Sequence, residues 1–231
     1  MRIQLFLYLL VSLLTANFLP VSAGANSATA TNVAIETGHL TVTVQDQKGQ
    51  PLKQAVVSLM PLSGQNVEGY QKNHTEMEQK NRLFNPFILV VQKNTKVSFP
   101  NRDNFRHHVY SFSKAKSFEL RLYGKDEQKS VEFDQVGVVP LGCNIHDNML
   151  AFIYVTEAPV FKKADEKGKV SFKSLPVGDY KMTVWHVDQK KKQSQAEQTV
   201  KVLADGSVQS VQLSVRSRKF IQKAADKNRQ Y

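Results

Sequence analysis

The only cysteine of the 231-residue chain begins a short motif of potential metal ligands. In GCNIHDNMLAF (142–152), Cys143 is followed three residues later by His146 and six residues later by Met149. This C-x2-H-x2-M spacing can bring a thiol, an imidazole and a thioether to one point from a single loop between strands. Soft sulfur and borderline nitrogen donors suit both Cu(I) and Cu(II). The motif therefore predicts one mononuclear copper site.

A fourth ligand must come from a separate segment, and FPNRDNFRHHVYSFS (99–113) contains the adjacent pair His107 and His108. Side chains of neighbouring residues in a regular strand point to opposite faces, so only one of the two can face the metal. Zinc suits this donor set less well, because it prefers four strong nitrogen, sulfur or oxygen donors and a thioether is a weak one. The residue types leave both histidines open as ligands.

The segments that would position these side chains have the pattern of strands. Apolar residues recur in short runs such as LTVTV (40–44) and TKVSF (95–99), and turn signals such as Lys48-Gly49-Gln50-Pro51 separate the runs. No long window shows the period of an amphipathic helix. Many short strands at such spacing predict an all-β fold of the sandwich type.

Two segments resemble the opposite ends of a transthyretin-like, carboxypeptidase-regulatory-type β-sandwich. VQDQKGQPLKQAVVSL (44–59) is similar to the opening strand, glycine–proline turn and next strand of that group, and ADEKGKVSFKSLPVGDYKMTVWH (164–186) is similar to its later region. Insertions at surface loops cost little closure entropy. We therefore predict one discontinuous sandwich, at 38–75 and 157–214, interrupted by an inserted domain at 76–156.

The predicted insert resembles the cupredoxins, which are Greek-key β-sandwiches that hold copper, and its ligand loop looks most like that of amicyanin. The whole arrangement is similar to methylamine-utilisation or plastocyanin-like proteins. In the cupredoxin pattern the first histidine ligand follows a turn asparagine by six residues, and His107 follows Asn101 by six. The resemblance thus implies His107, Cys143, His146 and Met149 as metal ligands, with His108 as the rival first histidine.

The resemblance implies a non-enzymatic single-electron carrier that cycles between Cu(I) and Cu(II) and meets a redox partner transiently. A periplasmic dehydrogenase or a cytochrome would fit as the partner. The chain contains no G-x-S-x-G, H-E-x-x-H or phosphate-binding glycine motif, which favours a carrier over a hydrolase. Two alternatives stay open: a copper storage or assembly module, and a structural β-sandwich scaffold without redox turnover.

The surroundings of the ligands can also be predicted from neighbouring residues. His146 is expected to present its ring edge to the partner, within an apolar rim made by the nearby side chains of Pro140, Leu141, Ile145 and Leu150. Metal-bound imidazoles usually donate a hydrogen bond from the NH of their second ring nitrogen to a polar partner. Asn101 and Asn144 are the candidates for that role.

The first residues have the pattern of a secretory signal: Arg2, an apolar run from Leu5 to Leu14, and Val21-Ser22-Ala23. We expect a signal peptide at 1–23, a flexible linker at 24–37, a basic tail at 215–231, and a periplasmic or secreted protein without a membrane span after cleavage. The 31 Lys and Arg against 20 Asp and Glu give a formal charge of +11. Export argues against nucleic acid as the partner of this basic chain.

Overall fold

The structure is a computed structural model that describes residues 35–67, 75–125, 127–146, 148–190 and 196–216. The predicted signal peptide, most of the predicted linker and the predicted tail beyond residue 216 lie outside the described residues. The described residues belong to one compact unit. No helix in this described part is long and apolar enough to cross a membrane.

All sixteen regular elements in the described part of the chain are β-strands, which confirms the predicted all-β fold. In chain order they are β1 (Thr37–Asp46), β2 (Val56–Pro61), β3 (Glu78–Lys80), β4 (Leu83–Asn85), β5 (Ile88–Gln92), β6 (Thr95–Pro100), β7 (His107–Phe112), β8 (Ser117–Tyr123), β9 (Gln128–Phe133), β10 (Gly137–Gly142), β11 (Leu150–Thr156), β12 (Val160–Lys163), β13 (Lys169–Pro176), β14 (Gly178–Trp185), β15 (Ala196–Val202) and β16 (Ser207–Leu213).

The strands form two sets of sheets, each with its own apolar core. The flanking sandwich consists of a three-stranded sheet, β13-β1-β16, and a four-stranded sheet, β12-β2-β14-β15. The inserted sandwich consists of a five-stranded sheet, β5-β11-β10-β7-β8, and the strand pairs β3-β4 and β6-β9. Strands β3 to β11 are continuous in the chain, whereas the flanking sandwich takes strands from both sides of them.

The segments 44–59 and 164–186 are direct neighbours in the flanking sandwich. Strands β1 and β13 pair antiparallel, and the backbone NH of Val44 donates to the carbonyl of Gly168 at 2.8 Å. Gly168 has φ 70°, and a Cβ atom there would lie 2.4 Å from the carbonyl oxygen of Val44. Glycine is therefore required where the turn before β13 approaches the backbone of β1.

Strand β11 is buried on both faces and joins the two sandwiches. Alternate residues beginning with Ala151 pack into the core of the inserted sandwich. Phe152 and Tyr154 point the other way and contact Trp185 of the flanking sandwich, with ring centroids 6.4 and 5.1 Å apart. These rings belong to an apolar cluster shared by the two sandwiches, made of Val56, Ile88, Val90, Phe152, Tyr154, Phe161, Trp185 and Val187.

Candidate metal centre

The connection between β10 and β11 carries three of the predicted ligands. Strand β10 ends at Gly142 and β11 begins at Leu150, so Cys143, His146 and Met149 all lie in the loop between two paired antiparallel strands. The backbone NH of Met149 donates to the carbonyl of His146 at 2.9 Å, which folds the loop back on itself. Cys143 and Met149 are 5% and 2% exposed and belong to the core of the inserted sandwich, whereas His146 is half-buried.

Gly142 leaves room for an aromatic ring beside the start of this loop. It pairs with Tyr110 of β7, and a Cβ atom at position 142 would lie 2.7 Å from both Cζ and Oη of Tyr110. That separation is well below a normal van der Waals contact. A side chain at this position would therefore displace either the ring or the backbone that leads into Cys143.

We expect Gly142→Ala to lower the free energy of unfolding of the metal-free protein by about 1–3 kcal/mol, the usual cost of overpacking. Urea denaturation measures this loss. Gly124→Ala is the matched control, because its added Cβ would lie 3.5 Å from Oε1 of Glu127, an ordinary contact distance. The loss should shrink when Tyr110→Ala removes the ring, and an equal loss with and without the ring would contradict the explanation.

His107 comes from the separate strand β7, which pairs with β10 in the same sheet. Its side chain is fully buried, and it forms a group with Cys143 and His146 in which one ligand atom from each residue lies within 4.8 Å of the others. Sγ of Cys143 and Nδ1 of His146 are 3.7 Å apart. Sulfur and nitrogen bound to one tetrahedral metal ion lie about 3.5 Å apart, so this separation fits a shared metal.

The ring nitrogens of His107 have different surroundings. Nε2 lies 2.8 Å from Oδ2 of Asp103, while Nδ1 is buried and has no hydrogen-bond partner among the described residues. Buried polar atoms nearly always have a partner, so an orphaned ring nitrogen calls for an explanation. A metal ion held jointly with Cys143 and His146 would supply the missing partner, and the residues present therefore fit such an ion.

His108 makes its contacts elsewhere. Its Nε2 lies 2.8 Å from Oε1 of Glu119 on β8, and its ring lies 5.6 Å from that of Tyr110. Nδ1 of His108 is also buried without a partner among the described residues. However, the group formed by His107, Cys143 and His146 does not include His108. Of the two adjacent histidines, His107 is therefore the one that lies with Cys143 and His146.

Burial lowers the pKa of both histidines in this group. For His107 the desolvation outweighs the effect of the Asp103 carboxylate, which acts in the opposite direction. For His146 the positive charges of His107 and Arg82 add to the effect of burial on the pKa. Metal ions bind the neutral imidazole, so the surroundings favour the form that can act as a ligand.

The polar partner of His107 is Asp103, which was not among the residues predicted for that role. Of the two predicted candidates, Asn101 donates from Nδ2 to the carbonyl of Phe105 at 2.8 Å and shapes the loop before β7, while Asn144 is exposed. The spacing of four residues between Asp103 and His107 is a signal that could have pointed to this contact. Asp103 is itself buried, with 8% of its surface exposed.

The predicted apolar rim around His146 is wrong at Leu141. Leu141 is only 1% exposed and packs in the core, whereas Ile145 is 41% exposed. Pro140 is exposed and Leu150 is half-buried. Phe105 belongs to this surface although it was not predicted, since it is 39% exposed and its ring lies 5.5 Å from that of His146.

No protein-family model and no curated protein matches the chain. Among solved structures, the chain is similar to a Cu-containing nitrite reductase (NirK) from Thermus scotoductus SA-01, with 23% identity over 44% of this chain and a TM-score of 0.35. The match spans only 28% of the nitrite reductase chain. A reduced mutant of amicyanin and a reduced Cu(I) form of a second amicyanin mutant each match at 16% identity and a TM-score of 0.34, over 45% of this chain and 99% of theirs.

Proposed function

We propose that this chain is a mononuclear copper protein of the cupredoxin type that acts as a single-electron carrier, with His107, Cys143, His146 and Met149 as ligands. The observation that carries the proposal is the orphaned, buried Nδ1 of His107 in a side chain grouped with a thiol and a second imidazole. Oxygen donors are absent from that group of three, which suits a soft or borderline metal ion.

The four side chains supply a donor set acceptable to two oxidation states. Bound there, copper would provide a one-electron couple between Cu(I) and Cu(II). Cys143 offers a thiolate, the two histidines offer neutral imidazoles, and Met149 offers a weak thioether. Three of these four residues are buried, so the protein interior limits the access of water to the site. Burial of this kind limits the solvent rearrangement that accompanies electron transfer.

The half-buried His146 is the proposed contact point for the redox partner. Phe105 and Ile145, both exposed, lie beside it in space or sequence and give this end of the sandwich an apolar surface. Electron-transfer partners usually meet through small, short-lived interfaces below about 1,200 Å². A periplasmic dehydrogenase or a cytochrome fits this role, and the proposed export rests on the signal pattern at 1–23.

The proposed domain organisation is an insert at 76–156 of cupredoxin type within a transthyretin-like sandwich at 38–75 and 157–214. The separate sheets and separate cores of the two strand sets support this division. The aromatic contacts of Trp185 would hold the two sandwiches together. The flanking sandwich would then act as a rigid carrier for the copper-binding insert.

Addition of copper to the purified metal-free protein tests the function directly. We expect one copper per chain and a strong visible band from charge transfer between the thiolate and Cu(II). The band should disappear on one-electron reduction and return on oxidation over repeated cycles. Tight copper binding without such cycling would favour a storage or assembly role. If no copper binds, the proposed copper function is wrong and the alternative of a structural β-sandwich scaffold is favoured.

Met149→Leu should retain copper and raise the reduction potential, because a hydrocarbon replaces a weak donor and disfavours the more highly charged Cu(II). The rise should be about 60 mV for each tenfold loss of Cu(II) binding relative to Cu(I). A redox titration of the visible band measures it. Met77→Leu makes the same change at a fully buried position of the same core and should leave the potential unchanged. Loss of copper, or equal shifts in both variants, would argue against Met149 as a ligand.

A further inference from the structure

A buried carboxylate contacts the ring nitrogen of His107 that is not available to a metal. Oδ2 of Asp103 lies 2.8 Å from Nε2 of His107, and the two side chains are 8% and 0% exposed. Nε2 must carry a proton to donate to an ionised carboxylate, which leaves Nδ1 of the neutral ring without one. The contact therefore selects both the orientation of the ring and the tautomer that a metal ion at Nδ1 requires.

Asp103 is held in place from a different part of the inserted sandwich. The backbone NH groups of Asn81 and Arg82 donate to Oδ1 and Oδ2 of Asp103 at 2.8 and 3.1 Å. Both residues lie in the turn between β3 and β4 and have φ of 58° and 56°, a conformation that few residues other than glycine adopt. The backbone NH of Asp103 donates to Oδ1 of Asn101 at 2.9 Å. Two hydrogen bonds to the carboxylate and one from the backbone of Asp103 therefore hold this residue in place independently of His107.

The groups around Asp103 suit a carboxylate, which only accepts hydrogen bonds, since two backbone NH groups and the His107 ring face its oxygens. A carboxylate that accepts a hydrogen bond from the second nitrogen of a metal-bound imidazole makes the ring a stronger ligand for the metal. It also favours the higher positive charge of Cu(II) over Cu(I) by simple electrostatics.

We propose that Asp103 is a positioning residue for the copper site. It presents Nδ1 of His107 to the metal and lowers the reduction potential by stabilising Cu(II). The turn of the β3–β4 hairpin takes part by holding the carboxylate. This inference rests on the proposed copper function and extends it to a residue that does not itself touch the metal.

The chain offers a matched pair of variants for the test. Asp103→Asn removes the charge that contacts His107, while Glu119→Gln removes the charge that contacts the neighbouring His108 at the same distance of 2.8 Å. We expect Asp103→Asn to weaken Cu(II) binding by about 10- to 100-fold, the usual effect of losing such a partner, and Cu(I) binding less. A tenfold difference between the two losses raises the potential by about 59 mV. Glu119→Gln should change neither quantity appreciably.

A second measurement needs no copper, and its first result needs only the wild-type protein. In the metal-free wild-type protein, nitrogen-15 NMR of the histidine rings should find the His107 proton on Nε2. In Asp103→Asn, with its fold checked by circular dichroism, the two tautomers should become mixed. A wild-type proton on Nδ1 of His107 would overturn the inference.

The outcomes separate the inference from the function on which it rests. If the wild-type protein binds no copper, the proposed function fails, and the tautomer of His107 still reports whether Asp103 positions the ring. If the wild-type protein binds and cycles copper but Asp103→Asn leaves affinity and potential unchanged, the role of Asp103 is refuted while the copper function stands. Equal effects of Asp103→Asn and Glu119→Gln would mean that the loss of any nearby negative charge explains the result, which would also refute the role of Asp103.

Discussion

A Cys143→Ser variant is expected to lose the visible charge-transfer band of the copper-loaded protein completely while keeping its β-sandwich fold. The band requires a thiolate bound to Cu(II), and a serine hydroxyl does not supply one. Serine is close to cysteine in size, so the core around this 5% exposed position stays filled. Burying an unpaired hydroxyl should still cost about 1–3 kcal/mol of stability. Absorption spectra with copper and far-UV circular dichroism without it measure the two effects.

The composition of the chain makes this result easy to interpret. Cys143 is the only cysteine, so any thiolate band must come from it. A band that survived in the Cys143→Ser variant would contradict the proposed site outright. A variant that failed to fold would show as a lost circular dichroism spectrum, and Cys143→Ala, which leaves no hydroxyl to be satisfied, would then replace it in the same measurement.

Three of the four proposed ligands could be predicted as a group because they share one loop. The positions of Cys143, His146 and Met149 relative to one another depend on a few consecutive residues between two paired strands. Short-range geometry of this kind follows from spacing, since a turn of fixed length can place its side chains in only a few ways. The all-β fold was predictable for a related reason, because alternation of apolar residues is a local property of each strand.

The contacts of the site with other strands could not be read from spacing alone. Asp103 is held by the turn at Asn81 and Arg82, and Phe105 reaches His146 only because β7 lies next to β10. Such contacts depend on which strands pair and in which register, and one residue of slip would reverse every side chain of a strand. The contacts that join the sandwiches through Trp185 are of the same long-range kind.

Leu141 was predicted on the rim around His146 but is buried in the core. Unlike the long-range contacts, its burial follows from the alternation of side chains along a strand. In β10 and the residue after it, Val139, Leu141 and Cys143 are all buried, while Pro140 between them is exposed. The side chains of residues two apart in a strand share a face. A Cys143 side chain that points into the site therefore places the side chain of Leu141 beside it in the core and not on the rim.

The choice between the two adjacent histidines leads to the second large effect. We expect His107→Ala to weaken copper binding far more than His108→Ala, because the ring of His107 lies with Cys143 and His146 whereas that of His108 contacts Glu119. Both side chains are buried, at 0% and 5% exposure, so the two variants remove similar packing and should lose similar stability. Titration with copper against a competing chelator measures the affinities, and chemical denaturation without metal checks that the stabilities match.

The size of the effect separates a ligand from a residue that only supports one. Loss of a supporting partner typically costs 10- to 100-fold in metal affinity, so about the same range is expected at most from His108→Ala. His107→Ala removes a direct bond to the metal and should exceed that range, with the visible band shifted or lost as well. The reverse order of losses would move the first histidine ligand to His108. In that case the contact between Glu119 and His108, and not the one between Asp103 and His107, would orient the metal-bound ring.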